Sequence, residues 1–310
     1  MASYLLVGLA RSGTTWVGTS LGRTPNVRYL NEPDGFRDAF PFRTMMKYGE
    51  NPMLGAGAHA PDYERLWDGV FTGGARSRSR RGRVAQVAFD RAGTDARRLA
   101  RAGCGTSPLL RLALHAAQPP VGVTGHEHVL VKSVQCIGAL DWIDHRYSPT
   151  VIVVFRSILN TVASWHQLDF VRNPREWAVL VEYARREWSV SPPPATAPVI
   201  AHRAFVVAVQ TAMLRRAADR HPAWTVVQHE ALCEDVSARF RSLAATIGLE
   251  WSDAADESVR ASDQDGSEPF GTKRVSSLQP ERWRERLSDD DVNEIRGVTA
   301  MFPDDARVRV

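Results

Sequence analysis

The sequence predicts an α/β protein: a single domain whose central, mainly parallel sheet is flanked by helices. Short apolar runs alternate with longer amphipathic stretches, and this order is typical of parallel strands joined by helices. The first apolar run leads directly into a glycine-bearing loop that opens a helix. The 310 residues contain no internal repeat and no long Pro/Ser-rich linker, so we expect one domain over residues 1–310.

The predicted strands are short apolar runs in which β-branched residues are frequent. The strongest lies at 151–155, where four of the five residues are Val or Ile. The first apolar run, at 4–9, has the compact pattern of a buried strand. We expect the strands to lie at 4–9, 27–30, 129–132, 151–155 and 224–228.

The predicted helices are amphipathic stretches bounded by polar, Gly or Pro residues. We expect them at 14–21, 141–146, 158–168, 174–188, 203–220, 235–247 and 289–301. Residues 35–70 have weak periodicity and many Gly, Pro and aromatic residues. We therefore interpret about 35–125 as a variable insertion in the α/β domain.

A dense basic stretch lies inside this insertion. Between Arg76 and Arg83 there are five arginines among Gly and Ser residues. This composition predicts an exposed, mobile loop. A loop of this kind is also able to contact an anionic acceptor or a membrane surface.

Composition restricts the class of protein. The net charge of +4, with 44% hydrophobic and 24% charged residues, is ordinary for a globular protein and suits an anionic ligand. Three scattered cysteines without a Cys-x-x-Cys pair exclude a disulfide framework and a zinc ribbon. The first residues lack a basic n-region, and no apolar stretch reaches about 18 residues. We therefore expect a cytoplasmic protein without an integral membrane segment, and no nucleic-acid partner because no aromatic-rich platform accompanies the basic stretch.

The loop after the first strand has the composition of a phosphate site. It reads Gly8-Leu9-Ala10-Arg11-Ser12-Gly13-Thr14-Thr15-Trp16. Free N–H groups and the dipole at a helix N-terminus attract an anion. The spacing is that of a Walker loop, but Thr14 occupies the place of the NTPase lysine and the cation is Arg11. The element predicts a P-loop-like nucleotide-binding topology without the lysine that triphosphate chemistry uses.

This segment carries a family resemblance. The residues Arg11, Ser12, Gly13, Thr14, Thr15 and Trp16 resemble the 5′-phosphosulfate loop of sulfotransferases that use 3′-phosphoadenosine-5′-phosphosulfate (PAPS). Cytosolic members read Lys-Ser-Gly-Thr-Thr-Trp, whereas many bacterial and Golgi-type members read Arg-Ser-Gly-Thr, as this chain does. The resemblance implies that these six residues bind PAPS at its 5′-phosphate and that Trp16 stacks on the adenine.

A second motif of the same family is a strand that ends in Arg, followed by a helix with Ser eight residues later. Arg156 and Ser164 match it in identity and spacing. Arg156 also ends a predicted strand, where open α/β sheets bind ligands, and a guanidinium grips phosphate in bidentate fashion. Eight residues approximate a whole number of helical turns, so Ser164 can face the same way. In the family this pair binds the 3′-phosphate.

The resemblance also indicates a catalytic set. Lys132 resembles a strand-end lysine that stabilises the transferring group, and Arg11 completes the cationic side. Cytosolic animal members carry a histidine two residues after that lysine, but this chain has Val134 there. Glu32 resembles the glutamate base of the tyrosylprotein and heparan branches. His166 remains open as an alternative base.

Two further groups of residues, a pair of histidines and a late basic pair, are weaker candidates for the site. His126 and His128 could share a strand face, but no third ligand stands at recognisable spacing, so we predict no metal site. Lys273 and Arg274 resemble the family's late basic loop, which covers the cofactor and binds its 3′-phosphate.

The resemblance implies sulfuryl transfer from PAPS to a hydroxyl of a small-molecule acceptor, giving a sulfate ester and PAP without a metal. The insertion at about 35–125 lies on the expected acceptor side. A homodimer is compatible with the sequence. Two other functions stay open: a P-loop kinase or NTPase, and a non-catalytic nucleotide-binding protein.

Overall fold

The computed structural model describes residues 2–71, 75–77, 79–119, 121–122, 128–170, 174–263 and 275–303. Their strands are β1 (Ala2–Gly8), β2 (Val27–Asn31), β3 (Ala75–Ser77), β4 (Val121–Gly122), β5 (His128–Ser133), β6 (Thr150–Phe155) and β7 (Thr225–Gln228). Strands β3 and β4 form a short antiparallel pair. The other five form the central sheet, in the order β2-β5-β1-β6-β7.

Helices cover both faces of this sheet. They are α1 (Thr14–Leu21), α2 (Ala39–Tyr48), α3 (Pro61–Phe71), α4 (Arg80–Arg91), α5 (Gly93–Arg101), α6 (Pro108–Ala116), α7 (Leu140–Tyr147), α8 (Ile158–Gln167), α9 (Pro174–Trp188), α10 (Val199–Arg220), α11 (His229–Leu232), α12 (Val236–Thr246), α13 (Asp253–Ser262) and α14 (Asp289–Ala300). Within the part of the chain that is described, none of these helices is both long and apolar enough to cross a membrane.

All four strand pairings in the central sheet are parallel. Val7 of β1 lies beside Ser133 of β5 on one side and Val153 of β6 on the other. On the outer side of β5, Asn31 of β2 pairs with Lys132. The carboxyl ends of the strands therefore meet along one edge, the edge at which open α/β sheets bind ligands.

Strand β1 separates two hydrophobic cores. Leu5 and Val7 belong to the larger core, whereas Tyr4 and Leu6 belong to a smaller core with residues of α1, α12 and α13. Side chains alternate between the faces of a strand, so a continuous apolar run is needed when both faces are covered. The fully buried run in β1 thus fixes this strand at the centre of the protein and holds the loop that follows it.

The predicted fold class is confirmed: the chain has a parallel central sheet flanked by helices. The predicted strands lie within two residues of the observed ones. Helix α10 begins four residues earlier than predicted, because Pro198 sets an extended backbone directly before its first turn. Helix α13 was not predicted; Ser252 starts it by accepting a hydrogen bond from the Ala255 N–H at 3.2 Å.

The prediction of a loop between Arg76 and Arg83 is wrong. Ala75–Ser77 is a strand, and α4 begins at Arg80. The Ser79 hydroxyl caps this helix by accepting a hydrogen bond from the Gly82 N–H at 3.0 Å. Arginine is a good helix former, and Phe89 anchors the helix in the core. Arg80, Arg81 and Arg83 are therefore exposed on the surface of α4. The surrounding insertion is likewise mostly helical, from α2 to α6.

Candidate functional site

The loop between β1 and α1 adopts a wrapped conformation. Arg11 and Gly13 both have left-handed backbones, with φ of 73° and 90°. The Ser12 N–H donates to the Leu9 carbonyl oxygen at 3.1 Å, which closes the turn. The first turn of α1 follows at once and points its N–H groups into the loop. A loop with this shape at a helix N-terminus suits an anionic group.

The two predicted anchor motifs lie side by side. The Arg11 Nε donates to Ser164 Oγ at 2.9 Å, and the Arg156 guanidinium donates to the Arg11 carbonyl oxygen at 2.9 Å. The indole of Trp165 donates to the Ala10 carbonyl oxygen at 2.9 Å. Helix α8 is thereby fastened to the loop after β1. Residues that are about 150 positions apart in sequence form one site.

Two buried donors at this site lack a protein acceptor. Ser12 Oγ and Arg156 Nε have no hydrogen-bond partner among the described residues. Burial lowers the pKa of Arg156 to about 10; nearby Glu230 opposes this shift, and the positive charges of Arg11 and Arg286 add to it. A buried donor without a partner costs about 1–3 kcal/mol. An anion bound here would satisfy these donors and offset the repulsion between the arginines.

The end of β7 adds residues that the sequence analysis missed. Glu230 accepts a hydrogen bond from the Ser157 N–H at 3.0 Å and so steadies the residue that follows Arg156. The neighbouring His229 is buried, and its pKa lies well below the ordinary value because of burial and, secondarily, the charge of Arg156. It is therefore neutral. Both follow a strand directly, and this strand-end position was the signal available in the sequence.

His229 also explains why Gly13 is required. A Cβ added at Gly13 would lie 2.3 Å from His229 Cδ2 and 2.9 Å from its Nε2. Since φ at Gly13 is +90°, any other residue would also adopt a strained backbone. The imidazole thus fills the space behind the loop and supports its shape.

Glu32 and Lys132 form an ion pair at the ends of β2 and β5. The Lys132 ammonium contacts Glu32 Oε1, and the Glu32 N–H donates to the Lys132 carbonyl oxygen at 2.7 Å. The lysine side chain is 3% exposed and the glutamate side chain 31% exposed, so the carboxylate is the accessible partner. Glu32 has a left-handed backbone, with φ of 49°. Strain of this kind in a non-glycine residue often occurs at functional sites.

A second carboxylate lies beside this ion pair. Asp34 Oδ2 accepts a hydrogen bond from Ser133 Oγ at 2.6 Å, while Asp34 Oδ1 is buried without a hydrogen-bond partner in the described part of the chain. Burial raises the pKa of Asp34 to about 6; Ser133 opposes the shift, Glu32 adds to it and Lys132 lowers it. Asp34 is not among the residues predicted from the sequence, although it stands only two positions after Glu32.

The last three residues of the loop motif, Thr14, Thr15 and Trp16, lie in the first turn of α1. Trp16 is 8% exposed, and its indole donates to Ser262 Oγ at 2.7 Å. Its ring meets Phe240 edge-on, with 4.9 Å between ring centroids. Thr14 is buried in the first turn of α1, and Thr15 is half-buried. The ring of Trp16 is thus held in the smaller core beside the loop.

His166 has a defined hydrogen-bond role. Its Nδ1 lies 2.8 Å from the Arg203 guanidinium, which also contacts Asp169 and donates to the Phe170 carbonyl oxygen at 3.1 Å. A guanidinium only donates, so Nδ1 accepts and the proton of the neutral ring is on Nε2. In this arrangement neither ring nitrogen of a neutral His166 offers a free lone pair.

Of the remaining candidates, His128 is described, and it stands at the start of β5, at the opposite edge of the sheet. His128 packs edge-on against Tyr4, with 5.9 Å between ring centroids. His126, Lys273 and Arg274 lie outside the described residues. In the described ranges, no group of three His, Cys, Asp or Glu side chains is arranged to hold a metal ion.

The carboxyl edge of the parallel sheet therefore carries two arginines, after β1 and β6, and an accessible carboxylate after β2. This arrangement suits an anionic ligand. No protein-family model and no curated protein sequence matches the chain. In a comparison of structures, the chain is similar to the sulfotransferase domain of the curacin biosynthetic pathway, with a TM-score of 0.48, 9% identity, and 96% of each chain covered.

Two further solved structures give similar values. The sulfotransferase domain of the Synechococcus PCC 7002 olefin synthase has a TM-score of 0.46 and 11% identity, with 96% of this chain and 94% of that chain covered. A mouse sulfotransferase complexed with PAP has a TM-score of 0.39 and 8% identity, with 96% of this chain and 82% of that chain covered. Likenesses at this level do not establish activity, so the functional proposal depends on the site itself.

Proposed function

We propose that this protein is a PAPS-dependent sulfotransferase that transfers a sulfuryl group to a hydroxyl of a small-molecule acceptor. The observation that carries the proposal is the contact between the two anchor motifs, Arg11 with Ser164 and Arg156 with the Arg11 carbonyl oxygen. One loop and one strand end thus supply two adjacent places for phosphate groups. A nucleotide with phosphates at its 5′ and 3′ positions requires two such places.

In this proposal the loop from Arg11 to Thr15 binds the 5′-phosphate, and Arg156 with Ser164 binds the 3′-phosphate. Each place has one unpartnered donor among the described residues: Ser12 Oγ in the loop and Arg156 Nε at the strand end. Thr14 occupies the place where an NTPase has its phosphate-binding lysine. A phosphosulfate carries less charge than a triphosphate, and arginine as the main cation is sufficient for it.

Glu32 and Lys132 supply the chemistry at the acceptor. Glu32 takes the proton of the acceptor hydroxyl as the hydroxyl oxygen bonds to sulfur. The bond between sulfur and the bridging oxygen of the 5′-phosphate breaks, and that oxygen leaves with the electron pair as part of PAP. Lys132 and Arg11 balance the negative charge that accumulates on the transferring group and on the leaving oxygen. By analogy with phosphoryl transfer, positioning and charge stabilisation provide most of the rate enhancement.

Calorimetric titration with PAP, AMP and Mg²⁺–ATP tests the nucleotide assignment. We expect PAP to bind at least about 100-fold more tightly than AMP, because AMP lacks the 3′-phosphate and its charge-assisted hydrogen bonds. Turnover of labelled PAPS with a panel of phenols and alcohols then tests the reaction. If Mg²⁺–ATP bound as tightly as PAP or more tightly, the protein would instead be assigned to the P-loop kinases or NTPases. Tight PAP binding without turnover on any acceptor would favour a non-catalytic nucleotide-binding protein.

A further inference from the structure

Helices α4, α5 and α6 expose an unusual amount of apolar surface. The described chain has ten large apolar side chains that are clearly exposed, and five of them lie between residues 84 and 112. These five are Val84, Val87, Leu99, Leu109 and Leu112. That stretch is less than a tenth of the chain, so exposed Val and Leu residues are concentrated there. Scattered apolar side chains are ordinary at a surface, but a concentration of them indicates a binding surface.

The same helices are strongly basic. Residues 79–116 contain eight arginines, two aspartates and no lysine or glutamate. This segment carries a net charge of +6, while the whole chain carries +4, so the other residues together are slightly acidic. Positive charge is therefore concentrated on the helices that expose the Val and Leu side chains. A surface of this kind attracts an extended anionic partner.

On α4 the two kinds of residue share one face. Arg80, Val84, Val87 and Arg91 are spaced at i, i+4, i+7 and i+11, which aligns them along a helix. All four are exposed, and Val84 is 65% exposed. The opposite side of the helix is buried through residues such as Phe89. The free face of α4 thus presents two valines with an arginine at each end.

Helix α6 packs against α4 and repeats the combination. It exposes Leu109, Leu112 and Arg111, and Leu112 is 62% exposed. We define the basic apolar patch as these exposed residues of the two helices: Arg80, Arg81, Val84, Val87, Arg91, Leu109, Arg111 and Leu112.

We propose that the basic apolar patch binds the surface of an anionic lipid membrane. Arginine side chains extend toward lipid phosphates while Val and Leu insert at shallow depth, which is the composition of interfacial helices. A second copy of this chain is a poor occupant, because two arginine-rich faces would repel each other. Protein interfaces depend mostly on Trp, Tyr and Arg anchors, whereas Val and Leu are depleted among them. The one aromatic residue of α4, Phe89, is buried.

Vesicle co-sedimentation tests the proposal with the full-length protein and without any nucleotide. We expect binding to phosphatidylcholine vesicles that contain 30% phosphatidylserine, little binding to pure phosphatidylcholine, and weaker binding as salt increases. The proposal does not depend on the proposed sulfotransferase activity. PAP titration of the same samples reports on that activity separately, so failure of one can be distinguished from failure of the other.

Two sets of variants separate the charge contribution from the apolar contribution. Replacing Arg80, Arg81 and Arg91 together by Gln is expected to weaken partitioning about 100-fold, since each arginine near an anionic surface contributes about a fivefold effect. The matched control replaces Arg239, Arg241 and Arg260 by Gln; their side chains are 51%, 63% and 71% exposed on α12 and α13. This control removes the same charge elsewhere on the molecule and should retain most of the binding.

The apolar pair Val84→Ser with Val87→Ser is expected to weaken partitioning about tenfold. Its matched control is Val179→Ser with Val199→Ser, which changes valines that are 44% and 59% exposed on α9 and α10. Circular dichroism and thermal unfolding confirm that each variant is folded. Equal effects of patch and control variants would overturn the proposal. Absence of binding to the anionic vesicles would also overturn it and leave an acidic protein surface as the partner class to test.

Discussion

Replacing Arg156 by Ala should remove the ability to distinguish PAP from AMP. The Arg156 guanidinium uses one nitrogen to hold the Arg11 carbonyl oxygen, at 2.9 Å, and its buried Nε has no acceptor among the described residues. Burial lowers the pKa of this group to about 10, so the isolated protein keeps an arginine there at a cost in stability. A phosphate group on the nucleotide would offset that cost.

The size of the effect follows from these contacts. Hydrogen bonds to charged groups contribute about 1.5–3 kcal/mol each, and a guanidinium that grips phosphate makes two. The loss of about 3–6 kcal/mol corresponds to roughly 150- to 25,000-fold weaker PAP binding. AMP binding should change by less than about tenfold, because AMP presents only the 5′-phosphate to the loop. Arg156→Lys keeps the charge without the planar fork, so we expect an intermediate affinity.

Isothermal titration of both nucleotides against wild type, Arg156→Ala, and the control Arg185→Ala measures these differences. Arg185 is exposed on α9, so its replacement removes the same charge without touching the site. Thermal unfolding identifies any variant that fails to fold. A PAP-to-AMP affinity ratio that is the same in Arg156→Ala and in wild type would refute the assignment of Arg156 to the 3′-phosphate.

Three further predictions concern the base, the buried carboxyl and the loop. Glu32→Gln should retain PAP affinity but lower turnover of labelled PAPS about 10²- to 10⁴-fold, and turnover near the wild-type rate would contradict the role as base. Asp34, with a pKa raised to about 6, favours folding below pH 4 and loses that contribution as pH rises through 6. Asp34→Asn does not have this pH dependence. In urea unfolding, its free energy of unfolding should therefore rise relative to that of wild type by at most about 3 kcal/mol from pH 4 to pH 8. A difference between the two proteins that does not change with pH would show that Asp34 does not have a raised pKa. Gly13→Ala should cost about 2–4 kcal/mol, because its Cβ would meet His229 in a left-handed backbone, and adding His229→Ala should restore part of the loss. No recovery in the double variant would show that backbone strain alone explains the cost.

Much of the candidate site could be found in the sequence because its parts are local. The loop from Gly8 to Trp16 has a fixed spacing between a strand and a helix, and the pattern of Arg156 with Ser164 follows from helical periodicity. By contrast, His229 and Glu230 follow a short strand with no recognisable motif. Their role emerges only because β7 lies beside β6 in the sheet.

The sequence by itself determined the five strands of the central sheet, the position of the loop from Gly8 to Trp16 and the strand-end location of Arg156, because these depend on patterns over a few neighbouring residues. It did not determine the helices of the insertion, where arginine-rich and weakly periodic segments fold as α2 to α6. Only the tertiary structure decided which strand ends are neighbours. Pairing of β2 with β5 brings Glu32 to Lys132, and the packing of α8 against the loop brings Ser164 to Arg11. Strand order and side-chain direction result from packing between segments that are distant in the chain, so they cannot be predicted from local sequence patterns.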